Sequence, residues 1–365
     1  MTPRDADKRR DAAPDWREYK LDELDRRIIV ALQTSGRAPW KGIAHALGAS
    51  EPTVARRGRR LIERDLVRVV GYIDVVRAGL GFPALVRIAC DPRERERLAD
   101  VIRSRQDVRY ATSVTGPTDI VAEFVVPSSE ALVRVLNHDL PNIHGILGTE
   151  TLTVMHSFYS VNPWEQELLT EAERAQLTAA APVLRAERVW ESSVTVDALD
   201  QAIMAELAED GRRPAKSIAA SIGSTSESTV ARRIDRLVAE GCVYFHVVAP
   251  AAMVGFSTEL LVWLRVDSAH LDAAAQQLVK HPSVKYLWVT AGRYNLCAGV
   301  HIRHLGELYS LETEILGALP SSGTIEINTH LTTLKRAWLE LWPSSMPGSP
   351  DAAGRAVREL VGATS

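Results

Sequence analysis

Apolar residues first recur at helical spacing: Leu24, Ile28 and Leu32 lie four apart, with Asp22 ahead of them as an N-cap. Gly36 and Pro39 break that stripe. Ile43, Ala44 and Leu47 begin a second, shorter one, and Gly48-Ala49-Ser50 reads as a tight turn. Ser50 is positioned to cap a third helix with Pro52 in its first turn and Val54, Leu61 and Ile62 facing inward. Two short helices joined by a glycine-containing turn predict a helix-turn-helix, and Val67–Ile73 predicts a short strand after it, a wing or exit. The pattern then changes. Ala84–Cys90, Val108–Val114, Asp119–Val126 and Thr149–Met155 read as strands, and Arg93–Ser104 and Ser128–Leu140 as helices. The order βαββαβ is that of a ferredoxin-like unit.

The whole pattern occurs twice. Asp22, Leu24, Asp25, Ile28, Leu32, Gly36, Arg37 and Pro39 reappear 175 positions later as Asp197, Leu199, Asp200, Ile203, Leu207, Gly211, Arg212 and Pro214. After one inserted residue, Thr53-Val54-Ala55-Arg56-Arg57 returns as Thr229-Val230-Ala231-Arg232-Arg233. The second halves match more weakly, through Tyr110 and Tyr286, Gly116 and Gly292, and Asp119 and Asn295. Such a period is too long for a solenoid and suits two copies of a two-domain unit. The predicted organisation is a tail over 1–20, a winged helix-turn-helix over 21–76 and a ferredoxin-like domain over 80–160. A helical connector over 161–194 follows, with a capping box at Thr170 and Glu173. A second winged helix-turn-helix spans 195–250, a second ferredoxin-like domain 255–342 and a loose tail 343–365, with a short helix near Arg355–Val361. The fold class is α+β.

Composition narrows the class without naming a chemistry. With 365 residues, 46% apolar and 24% charged, the chain is neither disordered nor fibrous. Its net charge of −3 announces no nucleic-acid binder, so such a case must rest on local charge. Cys90, Cys242 and Cys297 are far apart and in no CxxC pair, which argues against a disulfide framework or a zinc site. Residues 1–20 have no apolar core of a signal peptide, and no run of 18 apolar residues predicts a membrane span. A cytoplasmic protein without metal or other cofactor is expected.

The residues Leu21-Asp22-x-x-Asp25-x-x-Ile28, Gly36-Arg37, Ser50-x-x-Thr53-Val54-x-Arg56-Arg57 and Thr115-Gly116-x-x-Asp119 resemble those of the Lrp/AsnC (leucine-responsive and asparagine regulator) transcription factors. The likeness covers about 130 residues in each copy, most of the chain. It implies DNA-binding heads, each followed by a ferredoxin-like domain that dimerises and often binds an amino acid. One chain would then stand for a linked dimer, a pseudo-dimer open to further homo-oligomerisation. The turns at the family's effector site would be Gly116, Thr118 and Asp119 in copy one and Gly292, Arg293 and Asn295 in copy two. Asp119 could face a ligand ammonium, and the uncharged Asn295 leaves a site that is different or lost. The bland alternative is a turn that needs Gly for its backbone and Asp or Asn for local hydrogen bonds.

On the third helix Ser50, Pro52, Thr53, Arg56, Arg57, Arg59 and Arg60 are candidate DNA contacts. Ser228, Thr229, Arg232, Arg233 and Arg236 are their counterparts. Helical stepping puts Arg56, Arg59 and Arg60 outward, where guanidinium groups reach phosphates or guanine edges. Residues 21–73 carry a net +4 and residues 196–248 a net −2, with Asp235 near the place of Arg59. Copy one should therefore contribute more affinity for double-stranded DNA. Gly58, opposite Ile234, predicts a less stable recognition helix in the basic copy. Two other readings stay open. One is a small-molecule sensor without DNA binding. The other is an enzyme like the sirohaem decarboxylases, which also fuse two such units. That branch has histidine-rich motifs where this chain has Val108-Arg109-Tyr110 and Val284-Lys285-Tyr286, and His138, His144, His301 and His304 show no metal-ligand spacing.

Overall fold

The first head consists of α1 (Glu23–Thr34), α2 (Trp40–Ala46) and α3 (Glu51–Glu63), followed by β1 (Arg68–Ile73). The computed structural model describes residues 19–159, 168–180, 193–319, 322–340, 358–360 and 362. Asp22 caps α1 by accepting from the Asp25 amide at 2.9 Å, and the Asp25 carboxylate reaches back to the Asp22 amide. Next come β2 (Phe82–Cys90), α4 (Arg95–Ser104), β3 (Val108–Val114), β4 (Ile120–Val126), α5 (Ser129–Arg134) and β5 (Ile146–Tyr159). Helix α6 (Glu171–Ala180) docks on the first head through Leu169 and Leu177, and its capping box joins Thr170 and Glu173. The rest of the expected connector (161–167, 181–192), residues 1–18 and nearly all of the tail after 340 lie outside the described residues.

The second copy repeats the order. Its head is α7 (Ala198–Glu209), α8 (Ala215–Ile222), α9 (Glu227–Ala239) and β6 (Val243–Val248). Then follow β7 (Thr258–Val266), α10 (Leu271–Lys280), β8 (Val284–Ala291), β9 (Leu296–Ile302), α11 (Gly306–Ser310), β10 (Ser322–Arg336) and the two-residue β11 (Leu339–Glu340).

Neither head carries a wing of its own, which corrects the winged expectation. Strand β1 pairs antiparallel with β6, Val70 opposite His246, and this ribbon runs between the heads. Val69 packs into the core of the first head, while Val70 and Ile73 pack into that of the second. Gly36 and Gly211 serve this approach. A Cβ on Gly211 would come within 2.8 Å of the Val70 carbonyl carbon, and one on Gly36 within 3.1 Å of Phe245 Cβ. The adjoining arginines cross reciprocally: Arg37 donates to the Gly211 carbonyl at 2.8 Å and Arg212 to the Gly36 carbonyl at 2.6 Å. The repeated Gly-Arg pair is thus a clasp between heads.

Sequence periodicity also undersized the closing strand read at Thr149–Met155, which spans Ile146–Tyr159. Strand β5 pairs with β2 over its first half and with β8 over its second; β10 pairs with β7 and then with β3. The order β10-β3-β4-β2-β5-β8-β9-β7 returns to β10, so eight strands from both copies close one barrel. Helices cover its outside around Leu98 and Ile102 in one half and Ala274 and Leu278 in the other. Its interior is lined by Leu85, Tyr110, Val121, Trp263, Trp288 and Tyr294.

Gly58 does not leave the packing defect expected of it. The Trp40 ring fills the space beside it, and a Cβ on Gly58 would overlap that ring. Copy two has Ala215 and Ile234 at the two equivalent positions, a small residue for the large one and a large for the small.

Candidate nucleic-acid interface and ligand sites

Nine of the twelve residues proposed for DNA contact divide into two groups. Arg56 and Arg59 on α3 and Arg232 on α9 are exposed, as are Pro52 and Ser228. Arg57 and Arg60 are turned aside. Arg57 meets Asp22 at 2.6 Å and Asp25 at 3.1 Å, and Arg60 meets Asp25 at 3.0 Å. Copy two repeats the device, with Arg233 on Asp197 (2.6 Å) and Asp200 (2.9 Å) and Arg236 on Asp200. Asp25 and Asp200 are buried, so these arginines anchor the recognition helix to the first helix of each head. The Arg57 guanidinium holds the Asp22 carboxyl below its usual value. Ser50 is at the N-cap of α3, but its hydroxyl donates to Thr53 Oγ1 at 2.8 Å and caps no backbone amide; Ser226 does cap, accepting from the Thr229 amide at 3.1 Å. Asp235 is exposed beside Arg232, so the outer face of α9 is less basic than that of α3.

The turns at 115–119 and 291–295, expected to face an effector, close one end of the barrel. Asp119 accepts from the Cys90 amide at 2.8 Å and from Arg95, so both its oxygens are engaged. Asn295 makes the same closure in copy two, accepting from the Val266 amide at 2.9 Å and donating to the Val266 carbonyl at 2.8 Å. The Asp-to-Asn difference is thus two ways of fastening one strand end, and the carboxylate expected for a ligand ammonium is already partnered. Gly116, Gly292 and Arg293 are exposed, whereas Thr118 is half-buried with a buried hydroxyl that has no partner. Gly116 adopts a positive φ of 110° against the Asn328 amide. Beneath these turns Arg87 is sandwiched between Trp263 and Tyr294, 4.7 and 5.2 Å from their ring centres, and bonds to Glu150 and Glu326.

The other end of the barrel holds a feature that no sequence motif marked. A cavity of about 60 Å³ lies between the β1–β6 ribbon and the barrel. The ribbon supplies Tyr72 and His246; the barrel supplies Tyr110, Tyr286 and Trp288. Arg109, Lys285 and Arg336 also reach it. Arg109 and Glu123 form a buried bidentate pair at 2.7 and 2.6 Å. Arg336 meets Glu259 at 2.7 Å, and Glu259 is also 3.5 Å from His301 and from His330. His301 is in β9 and buried. Ala337 and Trp338, at φ of 51° and 62°, form the tight turn after β10, a left-handed conformation that costs non-glycine residues about 1 kcal/mol or more each.

Burial, helped by Arg336, pushes the His246 imidazole down to about 4 from its ordinary 6.5. Burial also lowers His301, against the pull of Glu259. Between those values the unfolded chain binds the proton and the folded one does not, so stability falls as pH drops from 6.5 towards 4. Urea midpoints measured across that range should decline, and His246→Gln should flatten the decline; an unchanged slope would remove His246 from the explanation.

Among the described residues no helix is long and apolar enough to cross a membrane, and no group of three His, Cys, Asp or Glu side chains is arranged to hold a metal ion. The three cysteines are free and buried.

Comparison with known proteins agrees with the heads. The AsnC-type helix-turn-helix model matches residues 21–62 and 196–238, and the Lrp/AsnC ligand-binding domain model matches 83–163. An uncharacterized HTH-type transcriptional regulator of Pyrococcus furiosus is 32% identical over 132 residues, 36% of this chain and 89% of that protein. The HTH-type transcriptional regulator AldR of Mycolicibacterium smegmatis is 27% identical over 41% of this chain and 90% of its own. Among solved structures, the siroheme decarboxylase NirDL superposes over 94% of this chain and 99% of its own, with a TM-score of 0.58 and 15% identity, a likeness of fold alone.

Proposed function

The chain belongs to the Lrp/AsnC family, and from that premise we propose that it is a sequence-specific, DNA-binding transcriptional regulator acting as a single-chain pseudo-dimer. In this reading residues 21–76 and 195–250 are the two DNA-binding heads, and 80–160 and 255–342 the paired ferredoxin-like effector domains. The observation that carries it is the exposed Arg56 and Arg59 on a recognition helix whose other two arginines, Arg57 and Arg60, hold that helix in place. Paired heads read half-sites about one helical turn apart, or a multiple of it. Because the two heads differ in charge, the operator need not be a good palindrome.

The ligand-binding domain match supports a small-molecule effector. An amino acid could lie against the exposed turn residues Gly116, Gly292 and Arg293, with Asp119 and Asn295 shaping the turns and Thr118 beside them. Exposed apolar side chains at equivalent places, Val133 and Tyr309 on the helices and Met155 and Leu331 on the closing strands, support further assembly of whole chains.

Titration of labelled promoter DNA at several salt concentrations tests the reading. Arg56→Ala/Arg59→Ala is expected to weaken binding about 100-fold and to lower the salt slope by about 2, one unit per lost phosphate contact. Arg232→Ala should cost about tenfold. An equal or larger loss from copy two would refute the asymmetry. Wild-type protein that ignores genomic DNA in dilute buffer would refute the regulator. The whole-chain likeness to NirDL would then favour the enzyme, with a tetrapyrrole absorbance band as its signature.

A further inference from the structure

The cavity between the head ribbon and the barrel has more hydrogen-bond donors than acceptors. The Trp288 indole N–H is buried, lines the cavity and has no acceptor. Among the described residues nothing hydrogen-bonds to the His246 ring, which projects from the ribbon into the same space. Lys285, whose ammonium also donates to the Pro282 carbonyl, adds positive charge, Arg336 is paired with Glu259, and a neutral imidazole, an indole and tyrosine hydroxyls can all donate. The one carboxylate among the lining residues, Glu123, is held at both oxygens by Arg109 and is not available to a ligand cation. The walls are aromatic: Tyr110 stands edge-on to Trp288 at 5.6 Å between ring centres, and Tyr286 lies 4.7 Å from Trp288.

Comparison of the two copies explains why the space exists. Lys285 and Gly299 in copy two occupy the positions of Arg109 and Glu123 in copy one. Where copy one has filled the barrel mouth with a buried ion pair, copy two has lost the carboxylate, and the Tyr286 ring lies against the bare Gly299 backbone. The strained turn at Ala337 and Trp338 borders the same space, and Ala337 is part of its wall.

We propose that this cavity binds a small aromatic carboxylate that has no α-ammonium group, its ring against Tyr110, Tyr286 and Trp288 and its carboxylate taken by the Trp288 N–H, His246 and Lys285. A free amino acid is disfavoured there because its ammonium would meet the Lys285 ammonium and find no open carboxylate among the lining residues. The site is distinct from the turns at Gly116 and Gly292: Tyr110 is near the start of β3 and Gly116 follows its end, so the two lie at opposite ends of the barrel. A ligand touching Tyr72 and His246 touches the ribbon that joins the heads. That regulatory consequence rests on the regulator reading; the binding itself does not.

Isothermal titration of the full chain tests it with 3-phenylpropanoate, benzoate and indole-3-acetate, against L-phenylalanine and 3-phenylpropan-1-ol as the ammonium-bearing and carboxylate-free counterparts. At least one of the three acids should bind ten-fold or more tightly than both counterparts. Trp288→Phe, which keeps a ring and removes the N–H, should weaken that acid at least five-fold, and so should Lys285→Met. No heat from any acid at millimolar concentration, L-phenylalanine binding as tightly as the best acid, or full affinity in both variants would overturn the proposal. Because the readout is binding without DNA, its failure is separable from failure of the regulator reading.

Discussion

Replacing Arg109 with Met should cost the fold about 3–5 kcal/mol, because the change leaves the Glu123 carboxylate charged and buried without its partner. Arg109 is 3% and Glu123 1% exposed, so water cannot take over the lost bonds. Arg109 also donates to the Ile73 carbonyl at 3.3 Å and stacks on Tyr72 and Trp338, with ring centres 4.6 and 5.3 Å away. Part of the loss should therefore appear as a loosened hold of the barrel on the head ribbon. The double change Arg109→Met/Glu123→Leu should recover most of the stability, since apolar groups of similar size replace a buried ion pair at little cost or even with gain. Lys285→Met, at the equivalent place in copy two, leaves no matching carboxylate because Gly299 stands there, and should cost less. Urea titration followed by circular dichroism compares the four proteins. A single Arg109→Met loss under 1 kcal/mol, or a double variant no better than the single, would show that the pair is not a buried obligation.

The second large effect concerns the exchange of sizes in the two heads. Gly58→Ile should destabilise the chain by about 3 kcal/mol, because the new side chain must displace the Trp40 ring. Trp40→Ala should cost a similar amount through the space it leaves. The double variant rebuilds the Ala215 and Ile234 pairing of copy two and should be about 2 kcal/mol more stable than the sum of the single losses predicts. Full recovery is not expected, since the Trp40 ring also lies under the Arg212 guanidinium, 4.3 Å from its centre. Simple additivity of the two losses would mean that the two residues do not share one space.

Much of this architecture is legible in the sequence because the chain is written twice. The stripes of Leu24, Ile28 and Leu32 and of Ile203 and Leu207 are α1 and α7, and the strand Val108–Val114 has the boundaries that periodicity gives it. Period reading fails where a residue's fate depends on what stands opposite. Angular position sets Arg60 outward, yet its long side chain reaches sideways to Asp25. The repetition of Asp22, Asp25, Arg57 and Arg60 in copy two was the available sign, since an ion pair demands that both partners persist together. Strand β5 looks finished at Met155, but Ser157 is buried because β8 of the other copy lies beside it. The cavity was invisible for the same reason: Tyr72, Arg109, His246, Lys285 and Arg336 come from five separate strands of the chain.

The crossing of β5 and β10 has one more consequence. A first half made alone would expose raw amide and carbonyl rows along β3 and along the outer length of β5, the kind of open border that seeks another strand. It would be driven to pair with a second copy of itself and so form a symmetric ring. In the intact chain each of those borders is already occupied by the other half. Any larger assembly must therefore be built from side-chain contacts on the molecule's outer surface rather than from strand pairing, and its growth can be tuned by surface substitution without disturbing the ring that each molecule has closed for itself.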